Sequence, residues 1–298
     1  MTARLPWLVR LVRSLPAPAR HAATVALGKS LFERAMAFQG GCCARPTVVL
    51  SFDCDFPVDV EQLPALARLL QDRNLRGSFA VVGQWVERWP EAHRAVIECG
   101  HEMINHSHTH PNLRHRAYDF ADSPEFTERR FEDMSFEEQL GEIRLCHEAV
   151  RDHLGVVMQG CRLPHFGNLD AEQAYALLRE LGYGFSTSIV AILAPSLGAP
   201  YAPVDGIVEI PVAGCPRHPF VAFDTWHCLV KDGGRHAGPG QFLALMREAL
   251  VSSQRHTGLL NLYFDPKDVT GNADFAVFLD LLAAGDARVA TYAELLSD

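Results

Sequence analysis

From residue 46 to the C-terminus two sequence periodicities alternate, and that alternation limits the folds open to the chain. Apolar, β-branched runs read as strands at Thr47–Phe52, Gly77–Val82, Met103–Asn105, Val156–Cys161, Phe185–Ile189, Ile207–Pro211, Leu259–Phe264 and Arg288–Ala290. Between them a helical period recurs over Val60–Arg73, Trp85–Cys99, Phe136–Leu154, Ala171–Leu181, Gln241–Ser253 and Phe275–Ala284. Strands that alternate with helices pair in parallel, because each helix carries the chain back along the sheet. The pattern predicts an α/β fold with the sheet curled into a barrel. In such barrels chemistry sits at the C-terminal ends of the strands. Three connections, 111–134, 190–206 and 212–240, are long enough to be read as lids or binding loops.

The first 45 residues are different. They hold seven cations (Arg4, Arg10, Arg13, Arg20, Lys29, Arg34 and Arg45) against one anion, Glu33. The formal charge of -9 is therefore +6 there and -15 over the remainder. We read residues 1–45 as a basic, amphipathic helical extension and 46–298 as the catalytic domain. An acidic body repels nucleic acid, so no nucleic-acid partner is expected. Trp7, Leu8 and Leu11 beside Arg10 and Arg13 suit either an interfacial helix or a helix packed on the barrel or in a homo-oligomer contact. No apolar run reaches the length of a membrane span. Arg10 and Arg13 interrupt the pattern of a cleavable leader. The expected location is cytoplasmic, with peripheral contact at the inner membrane face through residues 1–20 kept open. Eight cysteines without a CxxC pair read as reduced, mostly buried thiols.

Polar residues stand where strands end. Asp53 and Asp55 follow the first strand, two apart, so in extended chain they face one spot and need a cation or a proton between them. Five of the 14 histidines fall within residues 101–115. His106 and His110, four apart, would share one side of a helical turn and a metal, with Asp55 as the third ligand. Two imidazoles and a carboxylate leave a catalytic zinc one open position, although cobalt, nickel and iron accept the same set. Arg162, after the strand ending at Cys161, would fix a carboxylate by paired hydrogen bonds.

These residues lie in ordered motifs. Gly100-His-Glu-Met-Ile-Asn-His-Ser-His-Thr-His-Pro-Asn-Leu113, Ser51-Phe-Asp-Cys-Asp55 and Arg162-Leu-Pro-His-Phe-Gly167 resemble the second, first and third motifs of the polysaccharide deacetylases. This is the NodB-homology group, carbohydrate esterase family four, and the resemblance runs from about residue 47 to 292. It implies the group's deformed (β/α) barrel and a hydrolase that removes an N-acyl group from an amino sugar of a glycan or glycan precursor. It also implies Asp53 as general base, Asp55, His106 and His110 as metal ligands, and Arg162 as the residue that orients Asp53. His165 would lie beside the oxyanion.

One position departs from the group. Its late strand usually ends in Leu-His, where the histidine protonates the departing amine; here Phe264-Asp265 stands instead. An amine cannot leave unprotonated. Asp265, His165 and His227 are the candidate donors, with His227 preferred. Asp224-Thr-Trp226 resembles the fourth motif, and with His165 these residues are expected to meet the substrate. The resemblance is to the variant with one residue between the two aspartates of the first motif, which implies that formamides and cyclic imides stay open as substrates. The missing histidine keeps open a non-catalytic glycan-binding protein.

Overall fold

The computed structural model describes residues 4–111, 133–164 and 171–297. Its strands are β1 (Thr47–Cys54), β2 (Ser78–Val81), β3 (Glu102–Asn105), β4 (Gly160–Cys161), β5 (Phe185–Ser186), β6 (Tyr201–Val204), β7 (Ile207–Glu209), β8 (Leu259–Phe264) and β9 (Arg288–Val289). They form one curled sheet in the order β6-β7-β5-β4-β3-β2-β1-β8, with β9 also on β1. Every pair is parallel except β6 with β7. The helices are α1 (Trp7–Ser14), α2 (Ala17–Gln39), α3 (Pro57–Gln71), α4 (Gly83–Arg88), α5 (Pro90–Glu98), α6 (Phe136–Leu154), α7 (Ala171–Glu180), α8 (Gln241–His256), α9 (Pro266–Val269), α10 (Ala273–Ala284) and α11 (Tyr292–Leu296). The barrel expectation is met.

Local chemistry explains most element ends. All eight residues of β1 are buried, as a central parallel strand covered on both faces requires. Helix α6 starts at a reciprocal cap, with Ser135 Oγ accepting from Glu138 N–H and the Glu138 carboxylate accepting from Ser135 N–H. It stops at Gly155, which takes a left-handed φ of 70°. Two expectations need correction. The single helix read over Trp85–Cys99 is two, because Pro90 bars helical backbone at Trp89, which lies at φ -136°, ψ 62°. The connection read over 190–206 contains β6, closed onto β7 through the Asp205-Gly206 turn. Pro203 hid it from sequence, yet proline is tolerated on an edge strand.

The seam between β7 and β8 is drawn together by Asn261. Its Nδ2 donates to the carbonyls of Ile210 at 3.0 Å and Pro211 at 3.1 Å, and its own carbonyl accepts from Ala213 N–H at 2.7 Å. The first two helices pack nearby. Val9 and Val12 of α1 and Leu31 and Ala35 of α2 are buried against Val190, Ile192, Leu197 and Val212. Arg13 Nη2 donates to the Leu193 carbonyl at 2.7 Å. Trp7 and Leu11, on the other side of α1, are 62% and 50% exposed. Among the described residues no helix is long and apolar enough to cross a membrane.

Candidate metal and catalytic site

The site forms where β1 ends. Its neighbours are fixed by register: Phe52 pairs with Phe79 on one side and with Phe264 on the other. Asp53 and Asp265 therefore occupy adjacent strand ends, although 212 positions apart in sequence. Asp53 is buried, and Arg162 Nη1 donates to its Oδ1. The guanidinium, fully buried, is shared: Nη2 donates to Ser51 Oγ at 2.7 Å and to Tyr292 Oη at 2.6 Å, and Nε to the Thr187 carbonyl at 3.3 Å. The Tyr263 ring lies 5.2 Å from it. Burial pushes the Asp53 carboxyl above its usual range; Arg162 and His106 pull it down, without cancelling that effect.

Asp55 lies just past the strand, its backbone carbonyl accepting from the Trp85 indole at 2.9 Å. Its Oδ1 is 3.2 Å from His106 Nε2 and 3.4 Å from His110 Nε2. The imidazoles converge, but not from one helical turn as expected. After β3 the chain makes a tight turn in which Ser107 and His110 take left-handed φ values of 65° and 47°. Ser107 Oγ accepts from His110 N–H, and Asn105 Oδ1 accepts from Ser107 N–H. Glu142 of α6 secures the turn by accepting from the N–H groups of His108 and Thr109 and from Thr109 Oγ1, at 2.8–3.0 Å. Gly83 lets α4 pass beneath it, since a Cβ there would lie 2.5 Å from His108 Nδ1 and 2.8 Å from Cys146 Cα.

The donor set fits a divalent cation. His106 Nδ1 faces the Arg162 carbonyl at 2.6 Å, and because a carbonyl only accepts, Nδ1 carries the proton. Nε2 of the neutral ring then points a lone pair at Asp55 Oδ1, an oxygen with no hydrogen-bond partner among the described residues. Two acceptors 3.2 Å apart repel unless a cation or a proton lies between them. Tetrahedral zinc with ligands at 2.0–2.1 Å separates its donor atoms by about 3.3 Å, close to the distances here. Burial opposes the ionisation of Asp55, but His110 and His106 outweigh it and hold the carboxyl well below its ordinary range. Asp55, His106 and His110 can therefore hold one divalent metal.

The long connection before α8 closes over this end. Thr225 Oγ1 donates to Asp265 Oδ2 at 2.8 Å and accepts from Asp265 N–H at 2.9 Å. Thus Asp224 and Trp226 are carried to the strand end that holds Asp265. Lys267 Nζ lies 3.3 Å from Asp265 Oδ2. Burial, with Asp59 and Asp55 nearby, raises the Asp265 carboxyl well above its usual range against the pull of Lys267. Asp224 is likewise raised to about 7 by burial, with Asp265 adding to the effect. Trp226 is partly exposed beneath Lys231 Nζ, 4.9 Å from its ring. His227 is buried, and its Nε2 faces His218 Nδ1 at 3.3 Å. His165 lies outside the described residues. Sequence reasoning overlooked Ser51, Tyr292, Glu142, Thr225 and Lys267. None of them carries a local motif; each is recruited by contacts 33 residues or more away in sequence, apart from Lys267, whose Asp-Pro-Lys step was visible but unread.

Comparison with known proteins agrees with this geometry. A family profile described as polysaccharide deacetylase matches residues 40–185, from before β1 to β5, a span that carries Asp53, Asp55, His106, His110 and Arg162. Residues 40–185 form a polysaccharide deacetylase domain. A peptidoglycan-N-acetylglucosamine deacetylase of Bacillus cereus is 35% identical over 66 residues, 22% of this chain and 23% of that one. A chitooligosaccharide deacetylase of Sinorhizobium fredii is 35% identical over 68 residues, 23% of this chain and 31% of that one. The chain thus matches less than a third of the length of either curated relative. A structure from Mycobacterium smegmatis, described as that of a polysaccharide deacetylase, superposes over 85% of this chain and 90% of its own, with a TM-score of 0.63 at 22% identity. That likeness establishes the deformed (β/α) barrel.

Proposed function

We propose that this protein is a metal-dependent hydrolase that removes an N-acyl group, acetyl being the simplest, from an amino sugar of a glycan or glycan precursor. The observation that carries the reading is the convergence of Asp55, His106 and His110 beside a buried Asp53 held by Arg162. The names of the two curated relatives supply the substrate class. A divalent cation held by the three ligands, zinc fitting best, would supply Lewis acidity at the amide carbonyl.

The protein's own groups divide the remaining work. Asp53, raised by burial yet kept ionisable by Arg162, accepts the proton of the attacking water. Arg162 fixes where that carboxylate points. The amine must leave protonated, and we assign the proton to Asp265. It occupies the strand end beside Asp53, it is anchored through Oδ2 by Thr225, and its environment favours the protonated form. Asp224 and Trp226 would border the sugar. His227, the donor preferred from sequence, faces His218 instead. Asp265→Asn keeps the shape and removes the acid. We expect kcat on an acetylated amino sugar to drop by about 10²-fold or more, with a much smaller drop on an activated ester whose leaving group needs no proton. Equal losses on both substrates would assign Asp265 a structural role.

Glu142 tests the scaffold behind the ligands. Glu142→Ala removes three acceptor contacts from the His108–Thr109 turn, and metal affinity should weaken by about 10–100-fold. Competition with a chromophoric chelator would measure it; unchanged affinity would mean the turn holds itself.

The direct test of function is acetate or formate release from a panel of chitooligosaccharides and acylated sugar-lipids, with and without chelator. Metal-dependent release supports the proposal. Stoichiometric metal without turnover on any member would favour a glycan-binding protein, a reading that Asp265 in place of histidine keeps in view. Release from formamides or imides alone would move the substrate class. Residues 1–45 are read as an extension to the catalytic domain, with exposed Trp7 and Leu11 available for a membrane surface or a second copy. Vesicle co-sedimentation unaffected by deleting residues 1–20 would remove the membrane part.

A further inference from the structure

Outside the strand-end site, a second group of metal-ligating side chains gathers within residues 215–236. Cys215, His218 and His227 each place one ligand atom within 4.8 Å of the other two. His227 Nε2 and His218 Nδ1 are 3.3 Å apart, with their ring planes at 76°. Cys228 and His236 border the Cys215 thiol but fall outside that mutual distance. Both cysteines are buried and neither is in a disulfide. Short backbone contacts hold the group: His218 N–H donates to the Cys215 carbonyl at 3.0 Å, and His236 N–H to the Cys228 carbonyl at 2.9 Å.

The arrangement suits a neutral interior poorly. A neutral imidazole has one N–H and one lone pair, and both need partners when buried. Yet His227 Nδ1 is buried without a hydrogen-bond partner among the described residues, so this ring can turn either nitrogen to a metal. Thiols are weak partners for such rings. Thiolates and imidazoles around one point are instead the donor set of structural zinc, whose donor atoms stand about 3.3–3.8 Å apart in a tetrahedral shell. A hard, oxygen-seeking cation would not choose that set.

We propose that Cys215, His218 and His227 bind a second zinc ion, at a buried site separate from Asp55, His106 and His110. Its position gives it a task. The connection 212–240 contains little regular structure, and it carries Thr225, which anchors Asp265, together with Asp224 and Trp226. A metal held by Cys215, His218 and His227 would cross-link this long segment and steady the Thr225 contact. His227 is then a ligand, which is consistent with proton donation by Asp265.

Cobalt loading separates the two sites, because only the second has sulfur ligands. The intact protein loaded with Co²⁺ should show thiolate-to-cobalt charge-transfer absorption in the near ultraviolet. That absorption should persist in His110→Ala and vanish in Cys215→Ser. Elemental analysis should give about two zinc ions per chain, falling to about one in either variant. Absence of the absorption from the unsubstituted protein would overturn the second site without reliance on any variant. So would an absorption that survives Cys215→Ser, or a Cys215–Cys228 disulfide found by thiol counting under denaturing conditions. Loss of acyl-group release in His110→Ala with the absorption intact would concern the first site alone, so the two proposals stand or fall separately.

Discussion

Replacing Asp53 with asparagine should lower kcat by about 10²–10⁴-fold while leaving metal content unchanged. The side chain keeps its size, so packing at the end of β1 survives, but the amide cannot take a proton from water. Metal content should hold because Asp53 stands apart from the ligand set: its Oδ2 is 3.7 Å from His106 Nε2, against 3.2 Å for Asp55 Oδ1. Steady-state rates on an acetylated oligosaccharide, with elemental analysis of the same preparation, check both halves. Loss of the metal together with activity would move Asp53 from base to ligand.

Replacing Arg162 with methionine should have the largest effect on stability. The guanidinium is fully buried and serves Asp53, Ser51, Tyr292 and the Thr187 carbonyl together. Methionine fills similar space but leaves the Asp53 carboxylate buried without its cation, and breaking such a pair costs about 3–5 kcal/mol. The sign of the pH dependence follows from the carboxyl. Burial already holds Asp53 above its unfolded value, and losing Arg162 raises it further. An acid whose folded pKa is raised costs stability as pH climbs past its unfolded pKa of about 3.9. The deficit of Arg162→Met should therefore be large at neutral pH and shrink towards pH 4, where Asp53 is protonated in both states. Urea melts of both proteins at pH 5 and pH 7.5 measure it. A deficit independent of pH would mean that the lost hydrogen bonds to Ser51, Tyr292 and Thr187 matter more than the ion pair.

Much of the strand-end site is legible in the sequence. Asp53 and Asp55 announce themselves because strand alternation puts positions two apart on one side, and His106 and His110 because five histidines crowd into fifteen residues. Arg162 was found from its place after a strand. The manner of convergence was not legible. His106 and His110 meet through a turn with left-handed Ser107 and His110, and neither residue type advertises that conformation. Tyr292 and Ser51 reach Arg162 from 130 and 111 positions away, separations at which local pattern carries no signal. The cysteines between 215 and 228 read as inert thiols because their spacing, taken without the histidines between them, matches no familiar framework.

The sequence by itself determined the βα alternation, the ends of β8 and α6, and which polar residues lie at strand ends. These depend on periodicity, capping and backbone sterics, which act over a few residues. Tertiary structure decided what meets at those ends. The β1–β8 register sets Asp265 beside Asp53, Thr225 ties the long connection to that strand end, and His227 is turned towards His218 and Cys215. Such meetings depend on closing long loops and on the order of strands in the sheet. Those are set by the burial of the whole apolar surface rather than by any local preference.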